Sequence, residues 1–192
     1  AEVTQALKDA LSRGIVRSAT NGGRTDGYFL NPSLKIEFPE DARKMEKTLR
    51  KLGFGAQIDQ AVLQLNRAAE KAAARAKPVF IKAITAMTID DAFDILNGDA
   101  DAATQYLIDN SSDELYDQFR PIVVEALDAT SATVYYSDIV KHYNALPLTF
   151  NVDPDLAGYV TEKTVDGLFL MMVQEEGYIR NLSSARSTHL MK

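Results

Sequence analysis

A chain of 192 residues, 46% hydrophobic, 25% charged and 8% aromatic, has the length and apolar content for one well-filled core and too little of either for two. It contains no cysteine and only two histidines, His142 and His189, which excludes disulfides, thiolate metal sites, iron–sulfur clusters and thiol nucleophiles and leaves little for transition-metal chemistry. A formal net charge of -6 argues against nucleic-acid affinity.

The apolar spacing is helical nearly throughout. Val3, Leu7, Ala10, Leu11 and Ile15 predict a first helix over 2–19, ended by Asn21-Gly22-Gly23. Residues 21–38 are predicted to be an ordered loop or short extended segment, because Asp26-Gly27, Asn31-Pro32 and Pro39 punctuate the alternating Leu34, Ile36 and Phe38. A second helix over 39–52 follows, with Pro39 in its first turn and Gly53 as its C-cap. The third, over 57–75, places Ile58, Val62, Leu65, Ala69, Ala72 and Ala76 on one face, the alanines allowing close approach of a neighbour. A short apolar helix covers 79–87; Thr88 with Asp91 then resembles a capping arrangement, and Asn97-Gly98 supplies a stop.

Two further helices are predicted over 101–109 and 112–128, the second kinked or split by Pro121. Another covers 133–144. After the turn at 151–154 comes the last long helix, 155–181, whose Val165, Leu168, Phe169, Met172 and Val173 direct it to the centre of the molecule. Residues 183–192 read as a frayed polar tail. No hairpin chemistry and no fixed-period repeat occurs. The predicted fold is therefore all-α: residues 1–192 as a compact single-domain bundle of about eight to ten mostly short helices around a long C-terminal one.

Charge is unevenly placed. Residues 1–82 carry 15 basic and 9 acidic side chains, and residues 83–192 carry 6 basic and 18 acidic. Either the halves pack with complementary faces or the basic half meets an anionic partner. The longest apolar run, Leu168 to Val173, is far short of the roughly 20 residues of a membrane span, so no transmembrane segment is predicted. The chain opens with Ala1 and has no charged-then-apolar leader, and it lacks cysteine; both fit an exported protein whose signal peptide has been removed.

Five stretches carry a resemblance: GYFLNPSLKIEFPE at 27–40, KTLRKLGFGAQIDQAVLQLNRAAEKAA at 47–73, ILNGDADAATQYL at 95–107, YNALP at 143–147 and YVTEKTVDGLF at 159–169. In this order they resemble a bacterial family, the domain-of-unknown-function family numbered 4197. The resemblance implies an all-helical, exported protein of the periplasm or cell envelope. It implies no activity.

Polar residues on apolar faces are the candidates for a site. On a continuous helix at 100° per residue, Glu162 shares a stripe with Val165, Phe169, Val173 and Glu176, which directs a carboxylate at the core, where it needs a cation. The resembling motif offers Arg67 and Lys71 beside Asn66 and Glu70. A polar cluster of Arg67, Glu70 and Glu162 follows. It reads either as an ion pair that fixes helix register or as the base of a ligand cavity lined by Tyr143, Tyr159, Phe169 and Met172, methionine adapting to variable shapes.

Other constellations are weaker. Glu162 and Glu176 stand about 21 Å apart by helical rise, too far for a two-carboxylate glycosidase pair. His142, on the shoulder of an apolar face, reads as a hydrogen-bonded structural histidine. No nucleophile elbow, Walker loop or dinucleotide fingerprint occurs. Asn97-Gly98-Asp99-Ala100-Asp101 lacks the ligand pattern of a calcium loop and reads as a turn with Asp101 as N-cap. No metal and no cofactor is predicted. Arg43, Lys44, Lys47, Arg50 and Lys51 form a basic stripe, either a solvated face or one that contacts the acidic half or phosphates; the absence of aromatic residues from it argues against single-stranded nucleic acid and leaves peripheral membrane contact open.

The leading functional expectation is a non-catalytic periplasmic or envelope protein binding a small apolar or amphiphilic ligand. The alternative is an interaction or structural module that uses its basic and acidic halves on an envelope protein partner, and a distant third is an enzyme using Glu162.

Overall fold

The computed structural model describes residues 2–147 and 155–181. Apolar spacing becomes helix along nearly all of them: α1 (Glu2–Gly23), α2 (Arg43–Lys51), α3 (Gly55–Ala73), α4 (Lys77–Ala86), α5 (Ile89–Asn97), α6 (Ala102–Ala129), α7 (Ala132–Asn144) and α8 (Leu156–Asn181), with a 3-10 turn (Glu40–Ala42) leading into α2. The protein is a compact all-α fold with no strand among the described residues. The predicted tail at 183–192, the turn at 151–154 and His189 lie outside those residues.

Most helix ends fall where the punctuation places them. Gly53 adopts the left-handed conformation, φ 94°; its N–H donates to the Arg50 carbonyl at 3.2 Å and the Phe54 N–H donates to the Leu49 carbonyl at 3.0 Å, the paired bonds of a glycine cap. At the start of α5 the Asp91 N–H donates to Thr88 Oγ1 at 3.2 Å and the Thr88 N–H donates to Asp91 Oδ2 at 2.8 Å, so the predicted capping box is complete.

The predicted breaks at 22–23 and 110–111 are absent, as is a split at Pro121. The first helix continues through Gly22 and Gly23, because tight packing there demands residues without a side chain. A Cβ at Gly22 would meet Met171 Cε at 2.8 Å, and one at Gly23 would meet the Ala74 backbone at 2.7 Å. The pair 101–109 and 112–128 is one helix, α6, with Pro121 inside it. Pro121 is exposed, so the carbonyl that loses its partner meets solvent instead of a dry core. Along the opposite face Leu107, Leu115, Phe119 and Val123 are buried at multiples of four. Each such burial stabilises by about 1.5–3 kcal/mol, against roughly 3 kcal/mol for an interior proline, so the continuous helix wins.

The two longest helices, α6 with 28 residues and α8 with 26, run antiparallel and are clasped at both ends. At one end Glu176 of α8 accepts the backbone N–H groups of Ala103 and Thr104 at 3.0 and 2.9 Å, and the Thr104 hydroxyl at 2.9 Å. Asp101 holds the predicted N-cap position of α6, yet its side chain makes no capping bond; the cap comes from the neighbouring helix. Arg180 donates from Nη2 to Glu176 at 2.8 Å and to the Ile95 carbonyl at 3.0 Å, tying in the end of α5. At the other end Asp155 caps α8 by accepting from the Gly158 N–H at 2.9 Å and pairs with Arg120 of α6 at 3.0 Å.

α3 shares the centre, packed against α1, α6, α7 and α8 with Ala68, Ala69, Ala72 and Ala73 fully buried. Apolar side chains from all eight helices and from the 24–39 loop form one continuous core. The oppositely charged halves meet at the surface through Arg17–Glu175, Arg75–Glu125 and Lys82–Glu114, so part of the asymmetry is neutralised internally.

Candidate functional site

One exposed-to-buried turn of α3 holds Asn66, Arg67 and Glu70 against the 24–39 loop. Glu70, 3% exposed, accepts the N–H groups of Tyr28 and Phe29 through Oε1, both at 3.2 Å, and Arg67 Nη1 through Oε2 at 2.7 Å. Arg67 donates from Nη2 to Asp26 at 2.7 Å, and its guanidinium lies 5.7 Å from the Phe29 ring centre. One turn earlier, Asn66 acts as a surrogate peptide: it accepts the Ile36 N–H and donates to the Ile36 carbonyl, each at 2.8 Å. That pairing holds the loop extended, with Leu34, Ile36 and Phe38 buried as their alternation predicts. Tyr28 completes the clamp by donating its hydroxyl to the Thr164 carbonyl of α8 at 2.7 Å. Burial, then the negative charges of Asp166 and Glu70, push its phenol far above the usual range, so it remains a neutral donor. With three hydrogen bonds already on its two oxygens and only 3% exposed, this carboxylate has the geometry expected of an ion pair that fixes helix register.

Glu162 does not join this cluster. It is exposed, whereas Val165, Phe169 and Glu176 on the same stripe are buried. The buried arc of α8 is centred on Thr161, Leu168 and Met172, about 100° around the helix from Glu162. The predicted stripe is thus the flank of the core-facing surface, and it lines a surface cleft. That cleft, of about 410 Å³, lies between Ile108, Ser112, Asp113 and Tyr116 of α6 and Glu162, Val165, Asp166, Phe169, Leu170 and Val173 of α8. Its floor is apolar, with Phe169 edge-on to the buried Phe80 at 5.5 Å. Three carboxylates, Asp113, Glu162 and Asp166, stand among the lining and no cation does; Lys163, just outside, approaches Asp166 at 3.6 Å.

The family model described as protein of unknown function, DUF4197, matches residues 1–192, the whole chain. The chain belongs to this family. No curated protein and no solved structure matches it.

In this DUF4197 chain the remaining predicted site residues are scattered. Tyr143 and Met172 are buried in the core, and Lys71 is exposed, away from the Glu70 carboxylate. Tyr159 is half-buried; its hydroxyl donates to the Glu37 carbonyl at 2.9 Å and Lys163 lies 6.0 Å from its ring. Neither it nor Met172 lines the cleft, so of the predicted ligand cavity only Glu162 and Phe169 meet around one space. Arg43, Lys44, Lys47, Arg50 and Lys51 are all exposed on α2, and Arg50 is engaged by Glu46 at 2.9 Å and Asp59 at 2.8 Å. His142 bonds the Asp138 carbonyl through Nδ1 at 2.6 Å and its ring lies tilted against Phe54, centroids 4.9 Å apart, contacts that suit a structural role.

Sequence reasoning missed Asp26 and Tyr28 as partners of Arg67 and Glu70, Glu176 as a cap, and the α6 wall of the cleft. Only Glu176 left a signal, as a carboxylate in phase with Val165 and Phe169. Among the described residues no group of three or more His, Asp or Glu is placed to hold a metal ion, and no helix is long and apolar enough to cross a membrane.

Proposed function

We propose that the protein is a non-catalytic recognition module of the bacterial envelope, and that the α6–α8 cleft takes a small amphiphilic molecule with a cationic end. The single observation that carries this reading is the combination of an apolar floor with three carboxylates and no cation in the lining. The volume lies within the roughly 300–1,000 Å³ of small-molecule sites. The apolar body of the ligand rests on Val165, Phe169 and Leu170; its cation pairs with Glu162 and Asp166.

Isothermal titration with an alkyltrimethylammonium, an alkyl sulfate and an alkyl maltoside of equal chain length tests it. The cationic amphiphile is expected to bind most tightly, and Glu162→Gln/Asp166→Asn to remove that preference while leaving the fold intact. Equal affinity for the sulfate overturns the reading. Fractionation of cells carrying the full-length gene tests the envelope location, with recovery in the cytoplasm as the contrary result.

A second reading, an interaction module, is favoured by α5. Ile89, Phe93 and Leu96 share one side of that helix and are 46 to 52% exposed, beside Asp90 and Asp94. Such a stripe suits the apolar face of a basic amphipathic helix. Fluorescence anisotropy with a labelled leucine–lysine helical peptide is expected to report binding that Phe93→Asp removes; binding untouched by that change argues against it.

A further inference from the structure

The α2 stripe is independent of the cleft and points to a different kind of surface. Within nine residues α2 holds five cations and one carboxylate, in a molecule whose net charge is -6. Ala42, Met45 and Leu49 are fully buried against the rest of the protein. At 100° per residue, Arg43, Lys44, Lys47, Arg50 and Lys51 fall within an arc of about 120° directed away from that buried side. Glu46 and Asp59 are drawn to Arg50, at the edge of the arc; Lys44, Lys47 and Lys51 occupy the middle and far side of it. Three acidic residues precede α2 in sequence, Glu37, Glu40 and Asp41; Glu37 pairs with Lys35 at 2.7 Å and Glu40 is exposed in the 3-10 turn, short of the α2 arc. Past the start of α2 the charge is mixed: Tyr159 has Lys163 at 6.0 Å from its ring centre and its hydroxyl donates to the Glu37 carbonyl at 2.9 Å, so the uninterrupted basic face is that of α2 itself.

A convex helix side that presents a row of cations, without a groove or stacking aromatics along it, matches a broad negatively charged plane better than a strand or a pocketed ligand. The acidic half of the chain reinforces the choice by favouring the orientation in which α2 faces the negative surface. We propose that the exposed face of α2 docks the protein on bilayers rich in anionic phospholipid, with Lys44, Lys47 and Lys51 at the lipid headgroups. This goes beyond the cleft reading and stands or falls separately from it.

Co-sedimentation of the full chain with vesicles of phosphatidylglycerol mixed into phosphatidylcholine, and of phosphatidylcholine alone, is the test. Binding is expected to the anionic vesicles only and to fade as salt shortens the Debye length to about 3 Å near ~1 M. Lys44→Glu/Lys47→Glu/Lys51→Glu is expected to weaken it about tenfold or more, since each cation near the surface contributes separately. Lys44→Arg/Lys47→Arg/Lys51→Arg is expected to keep it, as is the remote reversal Lys77→Glu/Lys141→Glu, with circular dichroism melts verifying that every variant is folded. Equal sedimentation with phosphatidylcholine, absence of binding to either vesicle, or equal losses from the α2 and remote reversals overturns the proposal. Tighter binding to duplex DNA than to anionic vesicles at the same salt overturns the lipid assignment as well.

Discussion

Glu70 and Glu176 are buried carboxylates that solve the same problem in the same way. Each is bonded by two backbone N–H groups from another segment and by one arginine, Arg67 or Arg180. Charge-assisted bonds to otherwise orphaned donors make burial tolerable. Glu70→Ala is expected to lower stability by about 2–4 kcal/mol, because the N–H groups of Tyr28 and Phe29 lose their acceptor and Arg67 loses a partner; urea unfolding measures it. A smaller loss than that of an ordinary surface alanine would show that the clamp contributes nothing. Gly53 is the contrasting case. A Cβ there meets nothing within 4 Å, so Gly53→Ala carries only the left-handed backbone penalty, about 1–2 kcal/mol, and Gly53→Asn less.

At the scale of helices, the caps decide where elements begin. Hydrogen bonds from the Thr88 hydroxyl and then the Thr88 N–H, with a smaller part from the Tyr106 hydroxyl, hold the Asp91 carboxyl below its ordinary value of 3.8. Burial and that same bond to Asp91 push Tyr106 up to about 12. A carboxyl lowered by folding contributes stability that is complete above its unfolded value and is lost as pH falls through the lower folded one. Protection of the α5 amides, taken relative to their intrinsic exchange at each pH, is therefore expected to fall as pH drops below about 3.8, and Asp91→Asn to flatten that dependence. Unchanged protection across this window would contradict the capping role. The α6–α8 clasp belongs to the same scale: α6 does not supply the decisive group for its own start, Glu176 of α8 does, and it can act only because α8 lies antiparallel beside it.

Across the whole molecule, one core joins all eight helices, and cooperative unfolding follows from it. Circular dichroism and tyrosine fluorescence, the chain having no tryptophan, are expected to give coincident transitions. Phe80 touches this core from α4 and supports the cleft floor through Phe169; Phe80→Ala is expected to cost about 3–5 kcal/mol and to loosen the cleft. Two separated transitions would contradict the single core. Charge adds little to the balance, since the pairs that join the halves are exposed and such pairs are worth little.

Periodicity and punctuation by themselves determined the all-helical class, the glycine-capped end of α2, the ends of α5, α7 and α8, and the pairing of Thr88 with Asp91, because these depend on residues a few positions apart; the start of α2, predicted at 39, falls at Arg43 after a 3-10 turn, and α3 begins and ends two residues earlier than predicted. The same local rules read a break at Gly22-Gly23, a boundary at 110–111 and a kink or split at Pro121, where neighbouring helices reward continuous helices instead. Asn66, Arg67 and Glu70 were legible as a polar group on an apolar helix, but their partners lie some 30 to 40 residues earlier, beyond any spacing rule. Glu162 was misplaced toward the core because a helical wheel gives angles between side chains and not the direction from which a second helix arrives. Only the antiparallel seating of α6 on α8 decided that Glu176 is buried, that Glu162 borders a cleft, and which carboxylates share it.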